Sequence, residues 1–538
     1  MMDIVRAIRA MAGPGQSSSL EDPDILAPAR TGNRLWLPFV GLVTAMLCMP
    51  FIRAIFWLGD EGVLLHGADR MLRGSTLYVD FFEFLPPGGF VLTAAWFSVT
   101  GVSFLSARTL AVLTFVGIAS FTYLACRQAS RNAPLSAFLT IGWAMMSQGP
   151  WMQVSHHWFT TLFAMVAAWA ALANLEQRAL RQPLIAGVAA GAAAMVTPTR
   201  GALAALAALT AFLNLRQNRT GSITYVLGVM LVPVGLVVYL AFNHSLAAAF
   251  DDIIRFTATR YAAIQYVPFG SFGSIQNFPL IYLFSLAAVL TLLVCARDWR
   301  AALRDRPLQL CAAFGLAGFI GCYPRPDIFH ISYAAPLAYP LLTLCVSRLT
   351  PRWHPAFRSI FAAVAIVLHI PSVLFFLWIA QYALRNEVVS TPRGDVKLVK
   401  KLVIQEGIRE MLARIQATPP RDSFFFYPNI PMLPFLAERE HVAEYDILQP
   451  GYTLPSQYHD ACLSVMRHAD WLIIDRTWIG PKAWKLTFPA MQNAQPQETL
   501  DFERALDSGF DFVALDGTYE LRRRRKDVSD AICAGPAE

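Results

Sequence analysis

Asp60 and Glu61 are adjacent carboxylates placed directly after the first strongly apolar stretch of the chain. A carboxylate fixed at such a boundary can act as a general base, taking a proton from an attacking hydroxyl. The same pair can simply open a helix, since aspartate is a favoured cap and an acid in the first turn suits the helix dipole. Other polar groups recur at the ends of later apolar stretches. Arg200 lies in Thr197-Pro198-Thr199-Arg200-Gly201, a tight turn between two short spans. A guanidinium at membrane depth is costly and is usually paired or functional. Arg325-Pro326-Asp327-Ile328-Phe329-His330 reads in two ways: as an internal Arg–Asp ion pair, or as an anion-binding Arg325 oriented by Asp327 and His330. His156-His157 could hold hydroxyl groups, assist proton transfer or sit at an interface; neighbours on a helix point apart, which argues against a metal pair. Asp80 and Glu83 complete the polar set.

The elements that must position these side chains are membrane spans. Of the 538 residues, 55% are hydrophobic and only 15% charged, against about 25% charged in soluble domains. The apolar runs approach the roughly 20 residues that cross a bilayer core. They fall near 35–58, 104–126, 134–150, 157–174, 183–197, 201–215, 221–243, 277–296, 307–322, 331–347 and 359–382, about eleven spans in all. The piece 88–101 is too short to cross and is expected to lie on the surface or re-enter. Residues 63–73 are expected as a helix flat on the bilayer, with Leu64, Ala68, Met71 and Leu72 on one face and His66, Asp69, Arg70 and Arg73 on the other.

In this register the arginines concentrate in alternate loops: Arg127 and Arg131, Arg178 and Arg181, Arg216 and Arg219, then the groups 297–306 and 348–358. That excess marks those loops as cytoplasmic. The candidate site residues then share the opposite face. The net charge of +7 is accounted for in the same way and gives no reason to expect nucleic acid as a partner. Residues 1–34 read as a disordered cytoplasmic tail and 35–384 as the membrane domain, with a first outer loop at 59–103. Residues 385–538 read as an extracytoplasmic α/β domain: a helix over 396–417, strand-length runs at 424–427 and 471–474, and a hairpin about Asp516-Gly517. Cys462 and Cys533 could pair there if the compartment is oxidising. No Cys/His metal spacing occurs, and the acids could bind a divalent ion without their spacing demanding one.

Asp60-Glu61-Gly62, Gly67-Ala68, Gly74, Tyr78-Val79-Asp80, Pro86-Pro87 and the run from Gly101 through Ser103 to Ala107-Arg108 resemble the first extracytoplasmic loop of the GT-C membrane glycosyltransferases. The branch is the one of protein O-mannosyltransferases and the aminoarabinose transferase of lipid A. The resemblance covers about residues 35–385 and extends to the soluble tail. It implies a bacterial inner-membrane enzyme that moves one sugar, with inversion, from a polyprenyl-phosphate-sugar to an extracytoplasmic acceptor. On that analogy Asp60 is the base and Glu61 supports it. Arg200 and Arg325 are the candidates to hold the departing phosphate, with His156, His157, Asp327, His330, Asp80 and Glu83 as candidate substrate contacts; no cofactor is expected, a divalent cation being possible but not indicated. The chain departs from relatives that carry a lysine beside the proline of the first loop, having Leu85-Pro86-Pro87, and has His156-His157 where some place a second acid.

Two other classes stay open. A lipid-linked glycan polymerase or ligase would centre on the loop 244–276, with Asp251, Asp252, Arg255 and Arg260. A transporter would show paired, broken halves, and no such repeat is visible.

Overall fold

The computed structural model describes residues 35–147, 151–176, 179–212, 219–398, 407–480, 483, 485, 488–491 and 496–533. The expected tail at 1–34 lies outside them. Helix α1 (Trp36–Cys48) stops earlier than the expected end near Leu58. A short 3-10 turn around Pro50 follows, and a two-residue strand β1 (Ala54–Ile55). Proline supplies no amide donor to prolong the helix. β1 pairs in parallel with β3 (Val396–Leu398), which also pairs with β2 (Val388–Val389). The exit of the first apolar helix is thereby tied to the chain that follows the last one.

Helix α2 (Asp60–Leu72) begins at the two acids and keeps Arg70 in its last turn, in keeping with the dipole. Helix α3 (Gly88–Thr100) is short, as expected, and ends at Gly101, whose φ of 84° favours glycine. Then come α4 (Phe104–Ser130), α5 (Ala133–Met146), α6 (His156–Asn174), α7 (Arg181–Val196), α8 (Pro198–Leu209) and α9 (Arg219–Phe242). Ser103, Asn132 and Ser155 cap α4, α5 and α6 through their side chains. The α7–α8 turn is so tight that a Cβ at Gly201 would stand 2.1 Å from the Ala194 nitrogen.

After a π-helical segment, Asp251–Tyr261, the chain forms α10 (Leu283–Arg297), α11 (Arg306–Gly321), α12 (Ile328–Ala334), α13 (Tyr339–Leu349) and α14 (Pro355–Arg385). Each expected span overlaps at least one helix among the described residues. Two are broken, however: one bends by 40° before α10, and the stretch expected as a single span at 331–347 bends by 59° between α12 and α13. Pro336 and Pro340 sit at that break. Among the described residues α4, α9 and α14 are long and apolar enough to cross a membrane, and five spans result if each bent pair counts as one.

Beyond α14 lie α15 (Ile408–Ala417), α16 (Met432–Ala437), α17 (Pro455–His468) and α18 (Gln497–Gly509). They accompany a four-stranded sheet in the order β4 (Phe424–Tyr427), β5 (Trp471–Asp475), β7 (Tyr519–Arg524), β6 (Phe510–Asp516). β4 and β5 are parallel and the other pairs antiparallel. The hairpin turns at Gly517, φ 58°, as its Asp-Gly signal implied. The helix expected over 396–417 is corrected: Val396–Leu398 is strand and Ile408–Ala417 is helix, entered through Gly407, whose φ is 89°, while 399–406 lie outside the described residues. A disulfide joins Cys462 of α17 to Cys533.

Candidate active site

Asp60 is the first residue of α2, and the preceding turn is fixed from outside the helix: the Met432 amide donates to the Leu58 carbonyl at 3.0 Å. The carboxyl stays solvent-accessible. Its dense surroundings nonetheless push its pKa above the usual carboxylate range, while the nearby charge of Arg325 opposes that rise. A reachable carboxylate with a raised pKa has the chemistry of a general base. Its neighbour has a different setting. Glu61 is 1% exposed, pairs with Arg108 at 2.8 Å and accepts the Val154 amide at 2.9 Å. It ties α2 to α4 and to the residues before α6. The acids therefore divide into one reachable group and one locked group.

Asp327 is fully buried and caps α12, accepting the His330 amide at 3.0 Å. The Arg325 Nε donates to it at 2.8 Å, and His330 Nδ1 lies 2.7 Å from it. The ion-pair reading of this motif is thus realised, and it holds Arg325 in place while leaving its side chain 15% exposed. The backbone of 270–271 hydrogen-bonds residues 326 and 328, so the loop 244–276 is fastened to the same knot.

Arg200 donates through Nε to the Gly321 carbonyl at 2.8 Å, and one terminal nitrogen lies 3.2 Å from His157 Nδ1. Its guanidinium stands 5.7 Å from the Tyr333 ring centroid. The other terminal nitrogen is buried without a partner among the described residues. A buried, unpaired guanidinium nitrogen carries a desolvation cost that an anion would relieve. His157 stacks on Tyr333 at 4.5 Å and lies 4.9 Å from His330, with His156 beside it at 3.9 Å.

Six of the sequence candidates, Arg200, Arg325, Asp327, His156, His157 and His330, thus form one connected cluster, and Asp60 senses Arg325 and Asp327. Two residues that join it were not singled out: Tyr333, three positions after His330 on α12, and Tyr261, whose surroundings include Asp60, Arg325 and Asp327. The three-residue spacing from His330 was a usable signal for Tyr333; Tyr261 carried none.

Asp80 and Glu83 have other partners. Asp80 is exposed and accepts the Thr76 amide at 2.6 Å, bracing its own loop. Glu83 is buried, and burial beside Asp446 and Asp252 pushes its carboxyl well above the usual range. The polar face of α2, expected to meet water, is covered: His66 and Asp69 are buried against residues that follow α14. Burial alone would raise the Asp446 pKa, but His66, Arg70 and His441 together hold it well below the usual range. Among the described residues no group of three or more His, Cys, Asp or Glu side chains is placed to hold a metal ion.

No family model and no curated protein matches the sequence. Solved structures do. The crystal structure of ArnT from Cupriavidus metallidurans bound to undecaprenyl phosphate superposes with a TM-score of 0.52 at 14% identity, covering 95% of this chain and 100% of that one. The apo structure of the same protein gives 0.54 at 15% identity with the same coverage. The chain therefore shares the fold of that protein.

Proposed function

We propose that the chain transfers one sugar from a polyprenyl-phosphate-sugar to an acceptor on the extracytoplasmic face of the bacterial inner membrane. The observation that carries the reading is an exposed carboxylate, Asp60, opening α2 in a chain whose Arg325, Asp327, His330, His157 and Arg200 side chains form one contact cluster. An ArnT structure that shares the fold was crystallised with undecaprenyl phosphate, which supports a lipid phosphate of this class as the donor's carrier.

The acceptor hydroxyl oxygen bonds to the anomeric carbon from the side opposite the phosphate. The bond from that carbon to the phosphate oxygen breaks, the lipid phosphate leaves with the electron pair, and the hydroxyl proton passes to Asp60. Inversion follows from the single displacement. Charge develops on the departing phosphate, and Arg325 and Arg200 are the guanidinium groups available to receive it. Asp327 orients Arg325, while His157, His330 and Tyr333 line the route between the arginines. Glu61 supports the base by fixing α2 rather than by touching the proton. The active-site face, with the domain after residue 384, is extracytoplasmic, and the N-terminus and the arginine-rich loops are cytoplasmic. The Cys462–Cys533 bridge supports that placement, because disulfides persist in oxidising compartments.

The test is transfer from labelled polyprenyl-phosphate-sugars in membranes bearing the wild-type protein or Asp60→Asn. Transfer lost with the protein still folded supports the reading; full activity removes Asp60 as the base. The fastening of the loop 244–276 to the Arg325 knot also suits a glycan ligase that works through that loop. Replacing Arg255 and Arg260 separates the two readings: a single-sugar transferase keeps turnover of a simple lipid-phosphate sugar, and a ligase loses it.

A further inference from the structure

The helix that bears Asp60 is gripped along its length by residues that follow α14. At its start the Met432 amide holds the Leu58 carbonyl, and a Cβ on Gly62 would stand 2.2 Å from the Met432 nitrogen, so two backbones meet there with no room for a side chain. One turn on, His66 Nδ1 lies 3.0 Å from both carboxylate oxygens of Asp446. Arg70 stands 3.6 Å from the same carboxylate and donates to the carbonyls of His441 at 3.2 Å and Ala443 at 3.0 Å. Between them Arg393 donates to Asp69 at 2.8 Å and to the Val102 carbonyl at 3.2 Å. These are charged, directional contacts in a buried setting. Apolar packing would give at least as much net stability, whereas a buried, fully paired carboxylate fixes direction and register.

We propose that Asp446, acting through His66 and Arg70, is a positioning residue that sets the angle of α2 and so aims Asp60 at the acceptor hydroxyl. The proposal rests on the reading of Asp60 as the base. An active-site constellation must be held to within about 0.5 Å, and a misplacement of about 1 Å can cost roughly a hundredfold in rate. A carboxylate on the first residue of a helix depends directly on how the rest of that helix is seated. The domain after residue 384 is therefore part of the catalytic framework rather than an appendage.

The experiment uses the full chain in lipid nanodiscs with a polyprenyl-phosphate-sugar as donor. It compares wild type, Asp446→Asn, Asp446→Glu and Gly62→Ala, with formation of the Cys462–Cys533 bridge as the measure of folded protein. Asp446→Asn keeps the shape but loses the charge; Gly62→Ala wedges the helix from the other end, and it carries the test if Asp446→Asn fails to fold. The expected result is a fall in kcat per folded molecule of about ten- to a hundredfold in both variants, an unchanged donor KM, and a displaced acid limb of the pH–rate profile. Asp446→Glu should restore part of the rate. A purely structural contact would lower the yield of folded protein while leaving kcat and the pH limb unchanged, and that result overturns the proposal. An active Asp60→Asn would instead remove the base itself, so the two failures are distinct.

Discussion

Glu61 and Arg108 form a 2.8 Å ion pair with both side chains almost fully buried, one residue from the accessible Asp60. Arg108 also donates to the Ala54 carbonyl at 2.8 Å and lies over the Phe104 ring, so the pair anchors α2, α4 and β1 together. Removing one partner leaves an uncompensated buried charge, which typically costs about 3–5 kcal/mol. Glu61→Ala is therefore expected to lose most of its folded yield, read by thermal unfolding of the purified protein. The Glu61→Met, Arg108→Leu double variant should recover much of that loss. A Glu61→Ala protein as stable as wild type would contradict the anchoring role.

On the proposed mechanism the acid limb of the rate profile reports Asp60. The base works only when deprotonated, so the rate should rise with pH through its pKa. Its dense, poorly solvated surroundings raise that pKa above the 3.8 of an ordinary aspartate, and Arg325 pulls it down while Asp327 pulls it up. Arg325→Gln should move the limb to higher pH and Asp327→Asn to lower pH, whatever happens to the maximal rate. Measuring kcat/KM against pH for the three proteins checks both signs.

Arg200 has an orphaned guanidinium nitrogen beside His157 and Tyr333. Loss of a charge-assisted contact to a phosphate of about 1.5–3 kcal/mol corresponds to a weakening of roughly tenfold or more. Arg200→Ala should therefore reduce the affinity for undecaprenyl phosphate by at least that factor, measured by ligand-induced thermal shift. Unchanged affinity would leave Arg325 as the phosphate contact by itself.

The Cys462–Cys533 bridge closes a separation of 71 residues. Chain-entropy arguments give such a closure roughly 4 kcal/mol. The Cys462→Ser, Cys533→Ser protein is expected to unfold at lower temperature and, because Arg393, Met432 and Asp446 seat α2, to lose transfer activity before the apolar helices melt. Paired activity and helicity curves measured against temperature test that order.

What could be read in advance followed short-range signals. Asp60-Glu61 marked the start of α2, Asp516-Gly517 marked the last hairpin, and Arg200 and Arg325 at the ends of apolar runs marked two members of the polar cluster. Prolines at 50, 336 and 340 carried the information that two expected spans, 35–58 and 331–347, would stop or break, but hydropathy averaged over a window hides them. The cover over the polar face of α2 could not be anticipated: His66 meets Asp446 across 380 residues of chain. Amphipathic spacing tells that a polar face exists; it does not tell whether water or another domain will meet it. Glu83 belongs to the same class: its burial, within the influence of Asp446 and Asp252, depends on distant parts of the chain.

The central claim is that Asp60, Arg325 and Arg200 serve one pocket, with the departing phosphate on the guanidinium side. A structure of the protein with undecaprenyl phosphate bound tests it most directly. The account expects the phosphate within hydrogen-bonding distance of Arg325 or Arg200, with Asp60 open to solvent across the pocket. A phosphate seated away from both arginines, or against a face that Asp60 does not share, would contradict it.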